Sequence, residues 1–132
     1  MDTIKTYLIA WAPYVLSIFR IVAGFMFMQH GMQKLFGYPS APPHGKPPLA
    51  SLYGLAGTLE FFGGILIMIG LFTRPVAFLL SGQMASAYFT VHAPQNFWPT
   101  ENQGESAILF CFIFLLLLFV GPGPWSLDAL LF

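Results

Sequence analysis

The chain carries little charge. Only 8% of its 132 residues are Asp, Glu, Lys or Arg, and five acidic and five basic side chains give a formal net charge of zero. A typical globular domain has about 25% charged residues. Without a basic excess there is no electrostatic footprint for nucleic acid, so we expect no nucleic-acid partner.

Groups that could support redox or metal chemistry by themselves are also scarce. A single cysteine, Cys111, lies in an apolar run, which excludes an internal disulfide and a C-x-x-C couple and is typical of a buried core residue. The sequence contains no phosphate-binding glycine loop, no nucleophile elbow and no cluster with metal-ligand spacing, so we expect no metal. The first residues lack a basic segment followed by a cleavage site, so the first helix is expected to be its own insertion signal.

Apolar residues are abundant instead. They make up 57% of the chain, and the mean hydropathy is +0.74. A soluble domain of this size could not bury so much apolar surface. Hydrophobic runs predict four membrane spans, at residues 13–35, 51–72, 76–92 and 105–120, whose lengths fit a hydrocarbon core of ~30 Å. Their alternation predicts an all-α, integral membrane, up-down-up-down four-helix bundle that forms one domain over residues 1–132.

The first span has an unusual polar face. On a helix, Arg20, Gly24, His30, Gly31 and Lys34 share an arc of roughly 120°. Ionisable residues within a span are costly in lipid, so they usually face the bundle interior and mark a functional site. The second span is rich in glycine, at a spacing that lets another helix backbone approach closely.

The alternation of the spans also places polar residues at one end of the bundle. We call the face where the first span begins side A, and the opposite face side B. The two long loops, residues 37–50 and 93–104, cover side B, which predicts a polar pocket open to that face. The candidate pocket residues are Arg20, His30, Lys34, Glu60, Gln83, His92, Trp98 and Glu105. Of these, Arg20 is expected in the half nearer side A, from which it points into the same bundle. A haem held between His30 and His92 has no support except that both histidines lie near side B.

Each of these residues also has a purely structural interpretation. Arg20 and Glu60 are within reach of each other as a buried ion pair that fixes helix register. Lys34 would extend to the interface, and Gln83 would join helices by a hydrogen bond. His30 would bond a neighbouring helix. Trp98 and Glu105 belong to side B, where the carboxylate of Glu105 would face a helix N-terminus.

Four motifs resemble the DoxX family of small bacterial membrane proteins, over about residues 14 to 128. The motifs are R-x3-G-x5-HG-x2-K at 20–34, LEFFGGILIMIGLFTR at 59–74, N-x-GE at 102–105 and GPGPWSLD at 121–128. One departure is Gln103, where the family often has glycine. The order and spacing of the motifs together are specific, although each motif alone is not.

The resemblance implies a four-helix protein of the bacterial inner membrane that is linked to redox chemistry. It favours a non-catalytic membrane subunit or accessory of a quinone- or thiol-linked oxidoreductase system, in which a quinone-like molecule occupies the side-B pocket. The alternatives are a small carrier of a lipid-like or aromatic compound and a scaffold for a partner complex. We expect membrane lipids as partners, and a redox protein partner and a homo-oligomer are compatible with the sequence. Sides A and B carry equal numbers of basic residues, so the positive-inside rule does not fix the orientation in the membrane. The prediction of cytoplasmic termini therefore rests on the resemblance.

Overall fold

The computed structural model describes all 132 residues, which form helices and no strands. The elements in chain order are α1 (Asp2–Phe36), α2 (Leu52–Ile69), α3 (Thr73–Ala87), a π-helical turn (Tyr88–His92), α4 (Glu105–Val120) and α5 (Leu127–Leu131). Two helices, α1 and α2, are long and apolar enough to cross a membrane, and α4 is a shorter apolar helix. The all-helical prediction is therefore confirmed.

The helix ends follow from local sequence. α4 occupies the predicted residues, whereas α1 begins at Asp2, well before the predicted start of the first span at Pro13. Residues 2–12 contain no helix breaker, and Pro13 removes only one backbone donor, so the helix continues through it. Gly37 and Gly70 end α1 and α2 in the left-handed conformation, which glycine adopts without a steric penalty.

The backbones of α1 and α2 are in close contact along one glycine-lined seam. Gly24 and Gly31 of α1 face Gly64 and Gly57 of α2, so the two helices run in opposite directions. A Cβ atom added at Gly64 would lie 2.7 Å from the backbone nitrogen of Met28. The seam therefore requires residues without a side chain, as the glycine spacing in the sequence predicts.

The remaining helices pack more loosely around an apolar core. Phe27 of α1 meets the rings of Phe110 and Phe114 of α4, at centroid distances of 5.1 and 4.8 Å. In α3, Ser81 donates a hydrogen bond to the carbonyl of Cys111 in α4, at 2.9 Å. Side chains of α1 and α4 also line an apolar groove of about 480 Å³.

A first prediction concerns the glycine seam. Gly64→Ala should lower the thermal midpoint in detergent, because overpacking against backbone atoms costs about 1–3 kcal/mol. Gly82→Ala is the matched control, since a Cβ atom added at Gly82 meets nothing within 4 Å. Equal midpoints for the two variants would contradict the close contact of α1 with α2.

Candidate functional site

The side-B end of the bundle is organised around one ion pair. Lys34 Nζ of α1 donates to Glu60 Oε1 of α2 at 2.8 Å. The Glu60 side chain is 5% exposed and that of Lys34 is 24% exposed. The interpretation of Lys34 as a residue that extends to the interface is therefore wrong. Its ammonium group turns inward because a buried carboxylate lies within reach.

The predicted ion pair between Arg20 and Glu60 is also wrong. The glycine seam sets Lys34 beside Gly57, whose missing side chain leaves room for the lysine stem. The same register places Arg20 opposite Met68, eight residues beyond Glu60 on α2 and thus about 12 Å along its axis. Glu60 therefore pairs with the nearer cation.

Gln83 connects α3 to this ion pair. Its Nε2 donates to the backbone carbonyl of Ala56 at 3.3 Å and to Glu60 Oε1 at 3.4 Å. Two acceptor atoms of the same group of residues, Glu60 Oε2 and Gln83 Oε1, are buried and have no donor within the protein. Because a buried polar atom without a partner is costly, these two oxygens are the most informative feature of the site.

Aromatic side chains flank the polar group. The ring of Tyr53 lies under the Lys34 ammonium, with Nζ 5.8 Å from the ring centroid. The exposed ring of His30 meets Phe110 edge-on, at a centroid distance of 6.0 Å, and has no hydrogen bond to a neighbouring helix. Phe110, which His30 contacts, also lines the groove between α1 and α4. We call Lys34, Glu60, Gln83, Tyr53 and His30 the Glu60 cluster.

Three predicted pocket residues lie outside this cluster. The His92 ring stacks on Tyr88, and its Nδ1 lies 3.0 Å from the carbonyl oxygen of Asn102. Trp98 is 64% exposed and packs edge-on against Phe97. Glu105 lies exposed in the first turn of α4. No hydrogen bond or ion pair joins these three residues to Glu60, because each serves the 93–104 loop or its junctions with the helices.

Arg20 has a different role at side A. Its guanidinium is fully buried, with Nη1 donating to the carbonyl of Pro122 at 2.5 Å and Nη2 donating to that of Trp125 at 2.7 Å. Nη2 also donates to Met68 at 3.4 Å. A planar guanidinium suits several carbonyls at once, so Arg20 attaches the C-terminal segment to the end of α2. The structure therefore removes it from the side-B pocket.

Asp128 completes the side-A arrangement. Its carboxylate accepts hydrogen bonds from the backbone N–H groups of Phe72 and Thr73, at 2.8 and 2.9 Å, and thereby caps the start of α3. Partial burial alone would raise the pKa of Asp128, but the hydrogen bonds from Thr73 and Phe72 and the charge of Arg20 hold it below its usual value.

Two of these contributors were not among the candidate pocket residues of the sequence analysis. Tyr53 precedes Glu60 by seven residues, so both lie on the same helix face, and that spacing was the available signal. Asn102 is fully buried, and its Nδ2 donates to the carbonyl of Asn96 at 2.9 Å, which folds the 93–104 loop. Its place in the N-x-GE motif pointed to a specific role, but periodicity gives no information about a loop.

Comparisons with known proteins identify the family of this chain. Residues 15–93 match the DoxX family. An uncharacterized protein of Haemophilus influenzae is 39% identical over 122 residues, which cover 89% of this chain and 91% of that protein. An uncharacterized membrane protein of Mycobacterium tuberculosis is 30% identical, covering 88% of this chain and 80% of that protein. The inner membrane protein YqjF of Escherichia coli is 31% identical, and the match covers 85% of this chain and 88% of that protein. No solved structure gives a significant match.

This chain belongs to the DoxX family. Two of its relatives are described by name as membrane proteins, and no function is assigned to them. The resemblance seen in the sequence motifs is therefore confirmed. The structure divides those motifs into two groups. Arg20, Gly70 and the GPGPWSLD segment meet at side A, whereas Lys34 and Glu60 meet at side B.

A second prediction concerns the Asp128 cap. A carboxylate whose folded pKa is lowered stabilises the protein above its usual pKa of 3.8, and this contribution is lost as the pH falls through the folded value. Asp128→Asn should therefore be less stable than the native chain at pH 7, by about 0.5–2 kcal/mol. The difference in thermal midpoint should shrink on acidification below the usual pKa. Glu101→Gln, an exposed carboxylate without a side-chain partner, is the control. A difference for Asp128→Asn that is independent of pH would rule out this role.

Proposed function

We propose that this chain is a four-helix, up-down-up-down integral protein of the bacterial inner membrane that holds a quinone-like molecule at the Glu60 cluster for a redox partner. The names of two relatives, a membrane protein and an inner membrane protein, support a membrane location for this chain. The exposed apolar side chains along α4, such as Leu109, Phe112 and Leu116, are suited to lipid. α1 is about 52 Å long, more than enough to cross a hydrocarbon core of ~30 Å.

The observation that carries the proposal is the pair of buried, unpartnered oxygens on Glu60 and Gln83. They lie beside Lys34, whose ammonium has three donors, of which one is used by Glu60. A quinone-like ring with oxygens at two positions suits this arrangement, because one oxygen would accept from Lys34 and the other, when it carries a hydrogen, would donate to Glu60 Oε2 or Gln83 Oε1. The carboxylate and the lysine would also exchange the protons that accompany quinone chemistry.

The apolar groove between α1 and α4 supports a ligand with a hydrophobic tail. Its volume of about 480 Å³ lies within the range of small-molecule sites, about 300–1,000 Å³. Val22, Met26 and Leu109 line it, and Phe110 at its margin touches His30. A tail in this groove would place its head group at the His30 side of the Glu60 cluster.

The residues of the Glu60 cluster decide which steps this chain would perform and which it would leave to the redox partner. They bind, orient and exchange protons, whereas an electron carrier belongs to the proposed redox partner. The chain is thus a non-catalytic subunit or accessory, with both termini in the cytoplasm as the family resemblance implies. The groove also favours a second candidate, a carrier that moves an aromatic or lipid-like compound without chemistry. Such a carrier would transfer the compound across vesicle membranes without any redox partner.

A third prediction tests the binding site. Purified protein in lipid nanodiscs should bind a short-chain benzoquinone or its hydroquinone saturably, with one molecule per chain, as measured by equilibrium dialysis. Glu60→Ala should weaken this binding about tenfold or more, because the loss of a hydrogen bond to a charged group costs about 1.5–3 kcal/mol. Glu101→Gln should bind as the native chain does. Partition into the lipid alone, equal for all variants, would refute the proposal.

A further inference from the structure

We infer that the Glu60 cluster selects the reduced, hydroxyl-bearing form of its ligand over the oxidised, carbonyl-bearing form. This inference rests on the proposed function, since it concerns the same site. It follows from counting the donors and acceptors that the cluster leaves unused.

Both unused buried atoms are acceptors. Glu60 Oε1 already accepts from Lys34 and from Gln83, while Glu60 Oε2 has no donor. Gln83 Nε2 donates twice, to Glu60 and to Ala56, so both of its hydrogens are engaged and only its Oε1 is unused. The buried part of the site therefore offers two acceptors and no free donor.

The orientation of the Gln83 amide is fixed by its surroundings. If the amide were turned over, its oxygen would face the Ala56 carbonyl and the Glu60 carboxylate, which are both acceptors. The nitrogen must therefore point toward them, and the oxygen must point away. The ion pair with Lys34 favours the ionised form of Glu60, and a carboxylate only accepts.

The two redox forms of a quinone differ in whether their oxygens can donate a hydrogen bond, which is what the unused acceptors of this site require. A quinone oxygen only accepts hydrogen bonds, so it would face Glu60 Oε2 and Gln83 Oε1 acceptor to acceptor. A quinol hydroxyl donates, so it satisfies one of these oxygens. Lys34 does not discriminate, because a hydroxyl oxygen accepts from its ammonium as a carbonyl oxygen does. A site that hydrogen-bonds a hydroxyl strongly rejects the analogue that lacks it.

We expect the hydroquinone to bind about tenfold more tightly than the benzoquinone, as one satisfied buried acceptor implies. Tighter binding of the reduced form raises the midpoint potential of the bound two-electron couple, by about 30 mV for a tenfold preference. The protein would thus hold the quinol, and the bound quinol would be harder to oxidise than the free one.

The test compares dissociation constants for the two forms of one short-chain benzoquinone, under anaerobic conditions, with the full chain in nanodiscs. The native chain should prefer the hydroquinone. Glu60→Gln is the decisive variant, because its amide oxygen can remain with Lys34 while its NH₂ group replaces Oε2. An acceptor then becomes a donor, so the preference should disappear or reverse. Gln83→Met removes the other acceptor without adding a donor and should reduce the preference, and Glu101→Gln should leave it unchanged.

The outcomes separate this inference from the proposed function. If both forms bind with equal affinity, or if the quinone binds more tightly, the inference fails while the proposed site stands. If the native chain prefers the hydroquinone but Glu60→Gln and Gln83→Met keep the full preference, these oxygens do not read the hydroxyl and the inference is likewise overturned. If neither form binds saturably, the proposed function fails and the inference fails with it.

Discussion

The close approach of the α1 and α2 backbones is the constraint on which the other contacts depend. Gly24 and Gly31 lie against Gly64 and Gly57, where a side chain would collide with backbone atoms. Since backbone atoms cannot move aside as a flexible side chain can, the seam allows one register between the two helices. That register decides which polar groups of α1 meet which groups of α2.

Both polar clusters follow from this register. At side A it brings Arg20 to the end of α2, where the C-terminal segment supplies backbone carbonyls for its guanidinium. At side B it brings Lys34 to Glu60. The side-A cation is surrounded by protein acceptors and stabilises the arrangement of the helices. Both clusters keep buried atoms without a partner, which are Arg20 Nε and Thr73 Oγ1 at side A and Glu60 Oε2 and Gln83 Oε1 at side B. The side-B group is the candidate binding site because its two atoms are both acceptors and lie beside an ammonium that has unused donors.

The Glu60 cluster also shows why an ion pair by itself is a weak functional signal. A pair that had satisfied all of its atoms would only need to hold two helices together. Here the pair engages one oxygen of Glu60, and Gln83 donates one of its two hydrogens to that same oxygen. Glu60 Oε2 and Gln83 Oε1 are therefore left buried and without a protein donor. A ligand with a hydroxyl group is the one that we propose for this arrangement.

The sequence alone determined the helical class, the residues of α4, the glycine-lined contact and the family, because hydropathy, helix breakers and motif spacing are local properties. It also identified Glu60, Lys34 and Gln83 as candidates, since polar residues within apolar runs are conspicuous. Only the tertiary structure decided their partners. Arg20 and Lys34 lie on the same face of one helix, so periodicity cannot say which of them meets Glu60. The axial register of α1 against α2 makes that choice, and it arises from contacts between segments that are far apart in the chain.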